Sequence, residues 1–383
     1  MIRTATIDAG PGHTESPGLW VLAWRRFRHD WIGLVSLYVA AFFLVLMAAS
    51  AAGLIASDWE KEVGVSLAPP GFMGPGAAAT PTQHAARSSG APEAALGKEK
   101  DEPGIVDPLA DVLVQIRAKA PPGSAGTGVD TGVADPLADV LAEIRGQSGS
   151  ATTAEARAAT LLFGGDKWGR DVLKKAIKGT ETSMFVGLAA AALAAFLGTV
   201  FGALAGYYGR WVDDVFNWFY SVFTSIPYLL LILSIAAVLN QKGTMTVILI
   251  LGLTGWTGIF RLIRAEYMKH KVREYVQAAD AIGASNMRRM FVHIFPNVSH
   301  VVLVQLSLHV VLFIKSEVVL SFLGFGVGVD TVSWGSMLNE AQSELLLGNW
   351  WQLAAATIAM AMLVTAFGLL TDALRDALDP KLK

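Results

Sequence analysis

Long apolar runs divide this chain, and six of them are long enough to cross a bilayer as a helix, which takes about 20 residues. The predicted spans are residues 31–55, 184–205, 215–239, 246–263, 298–323 and 353–370. Polar segments separate them. The pattern therefore predicts an all-α, polytopic membrane protein with six transmembrane helices. An even number of spans puts both ends of the chain on the same side of the membrane.

A long polar segment separates the first two spans and sets the domain division. We predict an N-terminal tail and juxtamembrane segment (1–30), a first transmembrane helix (31–57), an insert (58–162) and a core with the other five spans (163–383). Hydrophobic residues make up 53% of the chain, charged residues 16%, and the mean hydropathy is +0.47, which is typical of a membrane protein. The chain has no cysteine, which excludes disulfides and thiolate metal sites.

The insert is rich in Ala, Gly, Pro and Ser, and much of it, especially residues 69–97, has the composition of a disordered segment. It also contains a duplication. The sequence Asp-Pro-Leu-Ala-Asp-Val-Leu begins at Asp107 and again at Asp135. Asp followed by Pro favours a helix start, so each copy predicts a short amphipathic helix. The two apolar faces either bury against each other or a soluble partner, or belong to transient helices in a tether.

A strongly basic segment, residues 261–297, separates the fourth and fifth spans. Its apolar residues recur at helical spacing in two pieces: Val272, Tyr275 and Val276, then Met287, Met290, Phe291 and Ile294. Gly283 lies between the pieces, and Pro296 is expected to end the second one before the next span. We therefore predict a helix–turn–helix. Small residues around its turn would let a partner's groove approach the backbone; they are Ala278, Ala279, Ala281 and Ala284.

Attraction to anionic lipid headgroups explains the basic charge of this loop equally well on physics alone. The Arg and Lys residues also predict orientation, because cytosolic loops carry an excess of them. With the N-terminus in the cytosol, the cytosolic segments contain Arg210, Arg261, Arg264, Lys269, Lys271, Arg273, Arg288, Arg289, Arg375, Lys381 and Lys383. We therefore place both termini in the cytosol. Lys174, Lys175 and Lys178 fall on the outer side, in a long loop where the rule weakens.

Small residues form two stripes in the second span. Gly198, Gly202 and Gly206 repeat every four residues, and a similar stripe consists of Ser183, Gly187, Ala191 and Ala195. Such stripes let two helices pack backbone to backbone within a membrane. The partner helix belongs either to this chain or to another subunit.

Two residues inside predicted spans are candidates for a transport pathway. Pro227 is expected to kink the third span, either as a plain structural kink or as part of the pathway. Glu317 is ionisable and lies in the fifth span, where such a group is costly. Lys315, two residues earlier, points to a nearly opposite helix face. We expect Glu317 to reach water near the outer end of its span.

Residues 331–351 form an amphipathic segment that is flanked by Trp334, Trp350 and Trp351. Tryptophan is enriched at membrane–water interfaces. The segment therefore predicts an interfacial helix that anchors the chain on the outer surface.

A charged motif precedes the second span and predicts a turn followed by a short amphipathic helix. Its notable residues are Gly165, Asp166, Gly169, Arg170 and Asp171. In an unrelated protein such a motif would be only a solvated loop. Here it resembles the "GTDxxGRD" segment of ABC importer permeases in the dipeptide, oligopeptide and nickel branch, with Gly165 in place of Thr.

Three further segments resemble the same family, and its dipeptide-permease C-subunit type in particular. The spacing of residues 277–279, 283 and 294–296 is similar to the family's "EAA" loop, with Gln277 where the family usually has Glu. Residues 321–324 with 333–335 resemble the pattern after the fifth span, and residues 372–380 resemble the C-terminal signature. The resemblance covers residues 20–57 and 163–383.

The resemblance implies one half of a translocation pathway for di- or oligopeptides in the bacterial inner membrane. It implies a homologous second permease, one or two cytosolic ABC ATPase subunits and a periplasmic solute-binding protein as partners, besides membrane lipid. The ATPases would dock on a coupling loop, residues 264–297. Its contact residues would be Tyr275, Gln277, Ala278, Ala279, Gly283, Ala284, Ile294 and Pro296. Alternatives are a permease for nickel chelates or another small solute, or a non-ABC transporter or membrane scaffold.

No phosphate-binding loop of the Gly-x-x-x-x-Gly-Lys-Ser/Thr type occurs in the sequence, and no His-Glu-x-x-His pattern. We therefore expect no catalytic, cofactor-binding or metal-binding residues in this chain and no binding of nucleic acid. ATP and Mg²⁺ are expected to bind to the partner ATPases. The sequence does not argue for an enzyme.

Overall fold

Long apolar helices make up most of the described chain. The computed structural model describes residues 24–74, 157–328 and 330–378, and the duplicated elements at Asp107 and Asp135 lie outside these ranges. The helices are α1 (Trp31–Ala51), α2 (Val172–Tyr208), α3 (Arg210–Ser225), α4 (Tyr228–Leu239), α5 (Thr244–Thr254), α6 (Trp256–Lys271), α7 (Glu274–Ala281), α8 (Asn286–Arg288), α9 (Phe295–Phe322), α10 (Trp334–Leu346) and α11 (Trp351–Leu378).

The described helices confirm the predicted all-α membrane protein. Five of them are long and apolar enough to span a membrane, with Thr244–Lys271 and Asn286–Phe322 each counted as one helix. Helices α3 and α4 meet at an angle of 88°, and they make a sixth span if they are counted together as one broken span. The described residues contain isolated β-bridges but no strand.

The predicted kink at Pro227 is present and is sharper than a bend within one helix. Helix α3 ends at Ser225, Ile226 is extended with φ −101° and ψ 130°, and Pro227 caps the start of α4. The extended conformation follows from the proline, since its ring disfavours the helical region for the residue before it.

Several helices have bounds other than those of the predicted spans; the fourth, fifth and sixth predicted spans lie in helices that cover Thr244–Lys271, Asn286–Phe322 and Trp351–Leu378. For the first two spans, turn and capping residues decide where the helices end. Helix α1 stops at Ala51, short of the predicted end, and Gly53 follows with φ +72°. Helix α2 begins at Val172, well before residue 184. The carboxylate of Asp171 accepts a hydrogen bond from the backbone N–H of Leu173 at 2.8 Å and so caps this long helix.

Helix α2 lies at the centre of the bundle and packs on α1, α5, α6 and α9. Its glycine stripe faces α6. A Cβ at Gly202 would meet the carbonyl oxygen of Phe260 at 2.9 Å, and one at Gly206 would meet the backbone of Arg264. The second stripe faces α9, where Gly187 lies against Ile314. Both stripes therefore pack within this chain, which decides between the two alternatives left by the sequence.

Helix α10 packs into the bundle through a tryptophan that was expected at the membrane interface. Trp334 is fully buried; its indole N–H donates to the carbonyl of Ala176 at 3.1 Å. Trp351 is also buried and donates to the carbonyl of Gly165 at 2.7 Å. Of the three tryptophans, Trp350 alone is exposed. The expectation of a tryptophan-anchored surface helix is therefore wrong for two of them, because their N–H groups find partners inside the protein.

A buried ion network joins α10 and α11 to the start of α2. The ammonium of Lys175 lies 2.8 Å from the Asp166 carboxylate and 2.5 Å from the Glu340 carboxylate. Gln352 donates to Glu340 at 3.2 Å. Buried charges are tolerated when they are paired and hydrogen-bonded in this way. The network holds the charged motif, the start of α2 and helix α10 together.

Glu344 lies beside this network and is 1% exposed. One carboxylate oxygen accepts from the backbone N–H of Lys167 at 3.1 Å, and the other has no hydrogen-bond partner. Burial raises the pKa of Glu344 to about 7, and the nearby carboxylates of Asp166 and Glu340 act in the same direction.

The described ends of the insert pair with each other, and the N–H of Gly64 also donates to the carbonyl of Gly169 in the motif at 2.9 Å. Pro70 and Leu161 form a parallel bridge, and the N–H of Gly71 donates to the carbonyl of Leu161 at 2.7 Å. A 3₁₀ turn follows at Gly71–Met73. The prediction of disorder for residues 69–97 is therefore wrong over 69–74, because these residues find backbone partners across the insert. The remainder, residues 75–97, lies outside the described chain.

Replacing Gly202 with Val should destabilise the helix bundle. The added side chain would collide with the backbone of Phe260 and Arg264, and overpacking costs about 1–3 kcal/mol. Thermal unfolding in detergent should show a lower midpoint. Gly368→Val in α11 is the matched control, because a Cβ there meets nothing within 4 Å. Equal midpoints for the two variants would contradict the packing described.

Glu344→Gln should flatten the pH dependence of stability. The folded protein keeps a proton on Glu344 up to about pH 7, whereas the unfolded chain releases it near the ordinary pKa of 4.5. The wild type should therefore lose stability as the pH rises from about 5 to about 8. Over this pH range we expect the thermal midpoint to fall less in Glu344→Gln than in the wild type. Glu60→Gln, at an exposed position, should show the same fall as the wild type. A wild-type slope in Glu344→Gln would refute this.

Candidate functional site

The basic loop, residues 264–297, contains the predicted helix–turn–helix. Helix α7 ends at Ala281, Gly283 turns the chain with φ +84°, and α8 starts at Asn286. The Ser285 hydroxyl caps α8 by accepting from the N–H of Arg288 at 3.4 Å. A residue without a side chain suits the turn, since φ in this range is strained for most residues.

Pro296 does not end the second helix of the loop, contrary to the prediction. The helix continues from Asn286 to Phe322. A π turn over Arg289–Ile294 precedes the proline, and the N–H of Phe295 donates to the carbonyl of Met290. Proline removes one N–H and crowds the carbonyl four residues back. The wider turn accommodates it, so the loop runs directly into the following span.

The predicted docking residues divide into exposed and buried sets. Tyr275, Gln277, Ala278, Gly283 and Pro296 are exposed, Ala284 is half-buried, and Ala279 and Ile294 are buried inside the protein. The structure therefore does not bring all eight onto one surface. Ala279 and Ile294 pack the loop against the bundle, which is a structural position.

The most exposed apolar residue of the loop is one that the sequence reasoning missed. Ile282 is 85% exposed and lies directly before Gly283 at the tip. Val272 and Met287 are also exposed. The available signal was an isoleucine at a turn, outside either helical stripe. These exposed apolar side chains are available for contact with another protein.

Two tyrosines tie the loop to the bundle. Tyr207, near the end of α2, donates to the Asn286 side chain at 3.1 Å, and Tyr267 of α6 donates to the carbonyl of Met290 at 3.2 Å. Within the loop, Arg289 pairs with Asp280 at 2.5 Å and so links its two helices. The loop is therefore a braced element that is hydrogen-bonded to the ends of α2 and α6.

Gln277 occupies the position at which the resembling family usually has a glutamate. Its amide donates to the carbonyl of Val272 at 3.3 Å, at the surface of the loop. The neighbouring Tyr275 hydroxyl lies 2.8 Å from the His270 ring. Partial burial raises the pKa of the Tyr275 phenol above its ordinary value.

The motif at Gly165–Asp171 lies at the other end of α2. This helix has 37 residues, which is about 55 Å, and it separates the motif from the basic loop. The Asp166 carboxylate accepts from the N–H groups of Trp168 and Arg170, both at 2.9 Å, and so closes the turn. Gly169 has φ +81°, and a side chain there would collide with the carbonyl of Gly64.

The two candidate pathway residues lie in different environments. Pro227 is exposed at the break between α3 and α4. Glu317 is completely buried and accepts hydrogen bonds from Ser183 at 2.8 Å and Ser321 at 2.7 Å. The expectation that Glu317 reaches water is wrong, because serine hydroxyls replace water as its partners. The hydrogen bond from Ser183 to Glu317 joins α2 to α9, and it could not be predicted because the two residues are far apart in sequence.

Within the described ranges, no group of three or more His, Cys, Asp or Glu side chains is arranged to hold a metal ion. At the motif, the ammonium of Lys175 lies between the carboxylates of Asp166 and Glu340 and pairs with both.

The chain resembles known transport proteins over most of its described length. Residues 198–383 match the family model for the "binding-protein-dependent transport system inner membrane component". The dipeptide transport system permease protein DppC of Bacillus subtilis is 37% identical over 226 residues, which are 59% of this chain and 70% of the relative.

Two further relatives agree. The oligopeptide transport system permease protein OppC of B. subtilis is 34% identical over 221 residues, covering 58% of this chain and 72% of that protein. The glutathione transport system permease protein GsiD of Pectobacterium atrosepticum is 33% identical over 229 residues, covering 60% and 75%. With the apolar helices, the braced loop and the motif at the opposite end of α2, these matches show that the chain belongs to the inner membrane components of binding-protein-dependent transport systems, the permease subunits of ABC importers, in the branch that includes the dipeptide and oligopeptide permeases.

Proposed function

We propose that this chain forms half of the translocation pathway of an ATP-driven importer for short peptides. One observation carries the proposal: the basic loop is braced to α2 and α6 by Tyr207 and Tyr267 and presents an exposed apolar tip at Ile282. A braced element with such a tip can receive force from another subunit, whereas a flexible loop would absorb it.

Family membership supplies the general setting. Members are transport subunits of the bacterial inner membrane that work with an ATPase and a binding protein. Peptides are the proposed cargo because relatives are named for dipeptide, oligopeptide and glutathione transport. The chain itself would carry out no catalysis, and ATP and Mg²⁺ would bind to one or two separate ATPase subunits.

The loop geometry supports a direct mechanical route into the membrane. The helix that begins in the loop at Asn286 continues as α9, so displacement of the loop enters that span without a hinge. The close packing of Gly202 and Gly206 on α6 would make α2 and α6 move together. Closure of the ATPases would then rock these helices and alternate access to the pathway.

The proposed orientation puts the basic loop and both termini in the cytosol. Loops rich in Arg and Lys favour that side, and the motif end of α2 would then face the periplasm and the binding protein. Helix α3 exposes aromatic residues, among them Trp211 and Trp218. They support contact with a homologous second permease and with lipid. Pro227 and Glu317 remain proposed pathway or gating positions.

Gly283→Asp should abolish ATP-dependent dipeptide uptake by proteoliposomes that contain the assembled importer and its binding protein. A Cβ at Gly283 meets nothing within 4 Å, and the Gly348→Asp control carries the same backbone strain, so a loss confined to Gly283→Asp should come from the partner surface, and the ATPase should no longer copurify. Gly348→Asp is the matched control, because Gly348 has φ +86°, equally open space and a position between α10 and α11.

Full uptake and wild-type ATPase copurification in Gly283→Asp would refute docking at the tip. Wild-type uptake that persists without ATPase would favour a secondary transporter. Uptake of nickel chelates but not dipeptides would replace the proposed cargo.

A further inference from the structure

A pocket of about 330 Å³ opens at the motif end of the bundle, remote from the basic loop. Its walls include two indoles, two cations and an amide: Trp59, Trp168, Arg170, Lys242 and Asn339. Small-ligand sites combine apolar walls with a few polar groups in this way and occupy about 300–1,000 Å³. The pocket is at the lower end of that range, which suits a small ligand.

Arg170 is held in this pocket by stacking, not by an anion. Its guanidinium carbon lies 4.8 Å from the centre of the Trp168 ring and 5.4 Å from that of Trp59. Among the described residues, its side chain forms no ion pair, and its buried Nε has no hydrogen-bond partner. Unpaired buried polar groups are unusual and call for an explanation.

The other charges of the pocket leave it positive. Lys242 is exposed at the pocket wall and forms no ion pair within the described chain. The acidic residue that also lines the pocket, Glu340, is already paired with Lys175 and accepts from Gln352. Asp166 is likewise paired with Lys175. Since Lys175 offsets only one of these two carboxylates, Arg170, Lys242 and Lys175 together leave one positive charge in excess at the pocket.

We propose that this pocket binds the C-terminal carboxylate of a short peptide through Arg170, with Lys242 as a second cation; this inference rests on the proposed peptide transport. A planar guanidinium can donate two parallel hydrogen bonds to a carboxylate. The two indoles fix the guanidinium plane before the ligand arrives, and they offer apolar surface to the peptide's last side chain.

A carboxylate on the binding protein is the competing occupant. The concave shape favours the small ligand, since docking sites between proteins are broader and flatter than a pocket of this volume. Gly324 and Gly328 in the wall leave room for a peptide backbone to come close; a Cβ at Gly324 meets nothing within 4 Å.

Peptide binding by the assembled importer in lipid nanodiscs, without its binding protein, tests the proposal. The probes are the dipeptide Ala-Leu and its C-terminal amide, measured by calorimetry and by tryptophan fluorescence. We expect the amide to bind about tenfold or more weakly, because a hydrogen bond to a charged group contributes about 1.5–3 kcal/mol. Arg170→Gln should weaken Ala-Leu to a similar degree and remove the preference over the amide.

Two variants keep the test independent of folding. Lys242→Gln changes an exposed side chain, so it should fold normally and still weaken Ala-Leu binding. Arg157→Gln is the control for Arg170→Gln, because it removes the same charged group outside the pocket. Arg157 lies in the insert, is exposed and pairs with Glu62. It should bind Ala-Leu like the wild type.

Unchanged Ala-Leu affinity in both Arg170→Gln and Lys242→Gln, with intact dipeptide uptake by the wild type, would overturn the pocket and leave the proposed function standing. The alternative result is that Arg170→Gln weakens association of the binding protein equally, whether that protein carries Ala-Leu or the amide. That result would assign Arg170 to the protein partner and also overturn the proposal. A wild-type importer that takes up no dipeptide would remove the proposed function and the pocket's ligand with it.

Discussion

The backbone contact between α2 and α6 is the constraint on which the rest of the structure depends. A lipid environment supplies no hydrophobic drive between helices, so close van der Waals packing must hold them. Gly198, Gly202 and Gly206 permit this approach because any side chain there would collide with α6. The same contact brings Tyr207 and Tyr267 to one end of the bundle, where both reach the basic loop.

Buried polar contacts hold α2 at its other end. The Asp166–Lys175–Glu340 network joins it to α10, and the Glu317–Ser183 hydrogen bond joins it to α9. An unpaired charge in such a place would be costly, whereas a paired and hydrogen-bonded one fixes the geometry of its neighbours. Helix α2 is thus held by polar contacts at both ends, which lie about 55 Å apart along the helix; in the proposed mechanism this helix would carry motion of the loop across the membrane.

The sequence predicted those features that depend on local pattern. Apolar run length predicted the spans, Pro227 the break, and helical spacing with Gly283 the turn of the loop. The wrong predictions concern residues whose partners are distant in sequence. Glu317 is buried because Ser183 supplies a partner, and Trp334 because Ala176 does. Pairings across more than a hundred residues leave no trace in a local pattern. For the same reason, the sequence did not predict that the guanidinium of Arg170 has no ion-pair partner.

The central claim is that an ATPase sits on the tip of the basic loop, and site-specific crosslinking tests it most directly. The chain has no cysteine, so Ile282→Cys introduces a single thiol at the tip. Leu346→Cys places one at an equally exposed position at the end of α10. A short thiol-reactive crosslinker should join Ile282→Cys, and not Leu346→Cys, to the ATPase in the assembled importer. An ATPase crosslink at neither position, or at Leu346→Cys alone, would contradict the account.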